Sequence, residues 1–97
     1  MYWYFLFEGE FRHYADDYRY LSSSAMLYAE SLELANEVLV RGLDKEGVSL
    51  LKINDFFEFD ISNVDLANED NLGWINMYEE VRRSKGYVFT PWQCYKN

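Results

Sequence analysis

From Tyr2 to Arg12 the chain alternates. Trp3, Phe5, Phe7 and Phe11 fall on one side with Gly9 among them, and Tyr2, Tyr4, Leu6, Glu8, Glu10 and Arg12 fall on the other. A period of two carried by β-prone aromatics predicts a strand with one buried and one mixed face. Gly9 inside it marks a bulge or a close backbone approach. His13 to Asp17 is polar and reads as a turn. A second extended run, from about Tyr18 to Ala29, then closes an antiparallel hairpin. Ser22-Ser23-Ser24 weakens the early half of that run, so pairing that begins only near Ala25 stays open.

The period changes after Ser31, whose hydroxyl suits the amides of a first helical turn, with Glu33 near the positive helix end. Leu32, Ala35, Leu39 and Leu43, widened by Val38, line one side, and Gly47 stops the helix after Glu46. Val48 to Ile53 has strand length, and Phe56 to Ile61 extends it past a kink at Asn54-Asp55. Leu51, Ile53, Phe57, Phe59 and Ile61 are expected to keep one face apolar throughout. Ser62 to Asn71 reads as a loop. Leu72, Ile75, Tyr78 and Val81, widened by Trp74, have helical spacing up to Lys85; Gly86 ends that helix, and Tyr87 to Trp92 forms a short strand closed by Pro91.

The order is therefore β-β-α-β-α-β, with no repeat or linker, and residues 1–97 form one domain. The economical arrangement is α+β: a four-stranded, mostly antiparallel sheet with both helices packed on one face. Tyr2, Tyr4, Glu8 and Glu10 on the other face are then left to solvent or to a partner.

Composition narrows the class. The apolar fraction of 49% is too high for a disordered chain, and nine Tyr, seven Phe and three Trp are unusually many: Phe and Trp are expected to fill a small core, and some of the Tyr residues to serve a surface that meets a partner. Cys94 is the one cysteine, which leaves no intrachain disulfide or thiolate cluster and fits a reducing compartment. The amino terminus lacks a basic region and a cleavage site, and no stretch approaches the roughly 20 apolar residues of a membrane helix. A soluble, cytoplasmic protein is expected.

Charge changes the picture more. Asp55, Glu58, Asp60, Asp65, Glu69, Asp70, Glu79 and Glu80 lie in a window free of Lys and Arg, and the net charge of −8 is concentrated there. Such a segment repels nucleic acid and attracts basic surfaces. Catalysis finds little support: His13 beside Asp16 and Asp17 has no nucleophile in context, and Cys94 lacks an electropositive setting. From Asp60 onward the acidic run fails the calcium-loop pattern, with Asp65 where glycine belongs and Asn71 where the final glutamate belongs. Arg82, Arg83 and Lys85 complement a helix C-terminus rather than form a nucleic-acid footprint. No cofactor, metal, membrane or direct nucleic-acid contact is expected.

Two readings of the segment remain open: a solvated acidic face that keeps a small protein soluble, and a protein-binding surface. Asp55, Glu58, Asp60, Asp65, Glu69 and Asp70 would steer and pair with Arg or Lys, Phe56, Trp74 and Tyr78 would anchor, and Glu79 and Glu80 would face outward from the second helix. In size, acidity and aromatic content the chain is similar to small inhibitors such as anti-CRISPR proteins, nuclease-toxin immunity proteins and DNA-mimicking glycosylase inhibitors. That similarity implies an inhibitor that is not an enzyme and that occupies the basic nucleic-acid-binding surface of another protein. The alternative is a structural or homodimeric adaptor that uses the Tyr-rich sheet face or an exposed strand edge.

Overall fold

A computed structural model of the chain describes residues 1–13, 18–84 and 86–96. The aromatic alternation forms strand β1 (Tyr2–Phe11), and β2 (Tyr18–Tyr28) pairs with it antiparallel from Tyr2↔Tyr28 to Glu10↔Tyr20. Of the turn expected over His13–Asp17, residues 14–17 lie outside the described residues. Pairing does not wait for Ala25: Ser22, Ser23 and Ser24 sit opposite Glu8, Phe7 and Leu6. The serines are tolerated because their hydroxyls have partners. Ser23 Oγ donates to the Thr90 carbonyl at 2.9 Å, Ser24 Oγ lies 2.8 Å from Thr90 Oγ1, and Ser22 Oγ lies 2.9 Å from the Tyr95 hydroxyl.

Helix α1 (Leu32–Lys45) begins at Ser31, whose Oγ accepts from the Leu34 amide at 3.3 Å, and Gly47 follows its end with φ +73°. β3 (Val48–Phe59) pairs antiparallel with the far side of β1 and forms one edge of the sheet. Two 3₁₀ turns, Ile61–Asn63 and Glu69–Asn71, lead into helix α2 (Leu72–Arg83). The last strand is split in two. β4 (Tyr87–Phe89) and β5 (Gln93–Lys96) both pair with β2, and the ladder lapses between them at Pro91, which has no amide to donate. The fold is α+β with an antiparallel sheet and two helices, but the sheet has five strands in the order β3-β1-β2-β4, with β5 also on β2, rather than the expected four. No helix among the described residues is long and apolar enough to cross a membrane.

The expectation that both helices share one face is also corrected. Ala35, Leu39 and Leu43 of α1 pack with Phe5, Phe7, Leu21, Ala25 and Leu27 on one side of the sheet. Val81 of α2 packs with Met26 and Phe59 on the other, joined by Tyr2, Tyr4, Trp74, Met77, Tyr78 and Val88. The cause lies in β3. Its register against β1 slips at Asn54 and again at Leu51, so Ile53 stands opposite Phe7 while Phe57 stands opposite Tyr4. Each slip inserts one residue and reverses which parity faces which side. Leu51 is thereby left 54% exposed, and Phe59 joins Tyr2 and Tyr4 in a second apolar surface that α2 covers, with the exposed Phe57 at its margin against Tyr4 and Trp74. A 12-residue helix is about 18 Å long, against about 40 Å for a 12-residue strand. α2 therefore covers at most about half of that face, and Glu8 and Glu10 lie at its uncovered end.

Candidate functional site

The acidic residues gather where β3 ends and α2 begins. Asp60 leaves the strand and caps the first 3₁₀ turn, its Oδ1 accepting from the Ser62 amide at 3.0 Å and the Ser62 hydroxyl at 2.7 Å. Asp65 Oδ1 accepts from the Ala67 amide at 3.0 Å, Asn68 Oδ1 from the Asp70 amide at 3.0 Å, and the Asn71 side-chain amide donates to the Asp65 carbonyl at 3.0 Å. Local side-chain turns of this kind fix a loop that contains no regular ladder. Glu69 and Asp70 immediately precede α2, where its amide dipoles favour negative charge. This segment is an ordered acidic rim.

The contacts from Ser62, the hydroxyl first and the amide second, hold the Asp60 carboxyl below the usual carboxylate range. A carboxyl pKa lower in the folded than in the unfolded chain stabilises the fold above the unfolded value, and that contribution is lost as pH falls through the folded one. Ser62→Ala is expected to raise the Asp60 pKa toward the ordinary value, read by ¹³C NMR titration of the side-chain carboxyl; an unchanged midpoint would deny the hydroxyl its role.

Asp55, Glu58, Asp60, Asp65, Glu69 and Asp70 are all exposed, and none forms an ion pair among the described residues. They are not equally close in the chain's geometry. Asp55 lies five residues before Asp60, roughly 16 Å away along an extended strand, and its Oδ1 accepts from the neighbouring Phe56 amide. Glu80 is exposed on α2, whereas Glu79 is half-buried and pairs with Arg82 at 3.6 Å.

The three expected anchors separate. Phe56 points to the α1 side, opposite Phe5 with ring centroids 6.3 Å apart, and is 47% exposed. Trp74 and Tyr78 instead hold α2 on the sheet. Trp74 meets Tyr4 at 4.6 Å and stacks on Phe59 at 5.8 Å, and Tyr78 meets Tyr2 at 4.8 Å. Burial, with Tyr78 beside it, raises the Tyr2 phenol above its ordinary value. Inward-facing Met77 was missed, because the expected stripe ran through Leu72 and Ile75; Leu72 is in fact 56% exposed. The apolar side chains that the acidic rim presents to solvent are Leu66, Leu72 and Phe57. Leu66 had a signal in the sequence: it is a large apolar residue isolated among Asp and Asn.

Two cavities flank the end of β3. One, of about 320 Å³, is lined by Phe57, Glu58, Phe59, Asp60, Asn63, Val64, Asn71 and Trp74. The other, of about 280 Å³, shares Glu58, Phe59 and Asp60 and adds Tyr2 and Tyr78. Neither is lined by a Lys or Arg. Among the described residues no three His, Cys, Asp or Glu side chains converge as a metal-ligand set. His13 and Cys94 are both exposed, and the carboxylates Asp16 and Asp17 considered beside His13 lie outside the described residues.

No family model, curated protein or solved structure matches the chain.

Proposed function

We propose that the chain is a protein-binding inhibitor whose acidic end, formed by the close of β3, the two 3₁₀ turns and the start of α2, occupies the basic nucleic-acid-binding surface of a partner. One observation carries the reading: six exposed carboxylates are unpaired by any described Lys or Arg, and local capping bonds hold the loop that bears four of them. Their combined field draws in a basic surface and speeds encounter, and the exposed Leu66, Leu72 and Phe57 supply the apolar contact that slows departure. The chain acts by occupancy and needs no cofactor. Its exposed thiol, Cys94, suits a reducing compartment such as the cytoplasm.

The Tyr-rich adaptor reading has less to stand on, since Tyr2 and Tyr4 pack against α2. The edge strand β3 is interrupted by its two register slips and carries Lys52, Asp55 and Glu58, features that discourage edge-to-edge pairing.

The test is affinity capture from a lysate of the native host with wild type and with a variant in which Asp55, Glu58, Asp60, Asp65, Glu69 and Asp70 become Asn or Gln. Wild type is expected to retain a basic, nucleic-acid-handling protein that the variant loses. Equal capture by both would make the acidic end a solvated surface and end this reading.

A further inference from the structure

The larger of the two cavities beside β3 has a chemistry more specific than negative charge. Its walls are apolar and aromatic: Phe57 and Trp74 face each other with centroids 5.8 Å apart at 57°, Phe59 stacks on Trp74, and Val64 closes one side. The charged group at its lining is an acceptor, beside the side-chain amides of Asn63 and Asn71. Both bonds from Ser62 end on Asp60 Oδ1, so Oδ2 makes none among the described residues. Asn71 donates its side-chain amide to the Asp65 carbonyl, which leaves its own amide oxygen. Glu58 stands opposite Trp3, so its side chain turns to the α1 side and it meets the cavity through its backbone. An anionic ligand, such as a phosphate or a carboxylate, would meet the Asp60 charge.

The occupant that fits is a group with donors only and a face that tolerates aromatic contact. Guanidinium has five N–H donors, no acceptor, weak hydration and a plane that stacks on rings. Size agrees. A volume of about 320 Å³ is at the small end of ligand pockets and accommodates one side chain. Asp60 is already held by its Ser62 bonds, so little ordering remains for the cation to impose.

We propose that this cavity receives one arginine side chain of the basic partner, its guanidinium against Trp74 and Phe57 and paired with Asp60. The assignment rests on the reading above that the partner is basic, and it adds where the partner's arginine goes. The cavity thus acts as the specific socket within a surface that otherwise attracts by field alone.

The full chain, ¹⁵N-labelled, would be titrated at low salt with acetylated tetra-arginine and, separately, tetra-lysine peptides, following the Trp74 indole and the amides of residues 57–60. Saturable shifts at those positions are expected, with arginine bound at least about threefold more tightly than lysine, the scale of an exposed cation–π contact. Asp60→Asn is expected to weaken arginine binding about threefold. Asp65→Asn removes the same charge and is expected to weaken it less. The carboxamide of Asp60→Asn can still accept from Ser62, so the first variant leaves the loop folded. Equal weakening by the two variants, equal binding of the two peptides, or shifts that miss Trp74 would each overturn the socket. The acidic end as a docking surface would survive those results, because it is decided separately by capture of the partner. Absence of any peptide binding also overturns the socket, and with retained partner capture it would place the contact elsewhere on the acidic end.

Discussion

Trp74→Ala is expected to destabilise the fold by about 3 kcal/mol, a loss of roughly 15 °C in Tm for a domain of this size. The ring is only partly buried, but it touches Tyr4, Phe57 and Phe59 at once and is the main tie between α2 and the second face of the sheet. Leu66→Ala should leave stability within about 0.5 kcal/mol, because that side chain is 67% exposed. Its cost should appear in partner binding instead. Urea denaturation of the two variants beside wild type separates these roles. Equal stability of Trp74→Ala and wild type would mean that α2 is not held as described.

The second large effect is at Gly9. A Cβ there would stand 2.6 Å from Val48 Cγ1 and 3.2 Å from the Ser49 carbonyl oxygen. Val48 is itself only 1% exposed, so its methyl has little room to retreat. Gly9→Ala is expected to lose about 2 kcal/mol and Gly9→Val about 3 kcal/mol by overpacking. Gly73 provides the control. A Cβ there meets nothing within 4 Å, so Gly73→Ala in the first turn of α2 should stabilise by about 0.5 kcal/mol. If Gly9→Ala were neutral in chemical denaturation, β1 and β3 would not approach as closely as the register requires.

Gly9 also shows how far the sequence could be read. Alternation in β1, the Ser31 cap, the Gly47 stop and the kink near Asn54-Asp55 are local features, and local features leave a local signature. The side of the sheet on which α2 packs is decided by a single inserted residue at Asn54. Counting every second residue from Leu51 to Ile61 assumes an unbroken strand, and the slip exchanges the faces halfway along. From that one error follow the misplacement of both helices on one face, the open reading of Tyr2 and Tyr4, and the choice of Trp74 and Tyr78 as anchors. The split of the last strand was half legible: Pro91 marked the break, but the pairing of Gln93–Lys96 with β2 is a long-range ladder that sets Tyr95 opposite Tyr20, and no local pattern records it. The acidic segment was legible as charge. Its capped turns and its two cavities were not, because they join residues of β3, the loop and α2 that only the folded chain brings together.

The central claim is that the acidic end takes the place of nucleic acid on a basic partner. The most direct measurement is the dissociation constant of the captured partner for this chain at rising salt, with and without duplex DNA as competitor. The account predicts that log Kd rises linearly with log salt, that the DNA displaces the chain, and that neutralising the six carboxylates weakens binding at least about 100-fold. Binding that is indifferent to salt and to DNA, and equal for the neutralised variant, would contradict it.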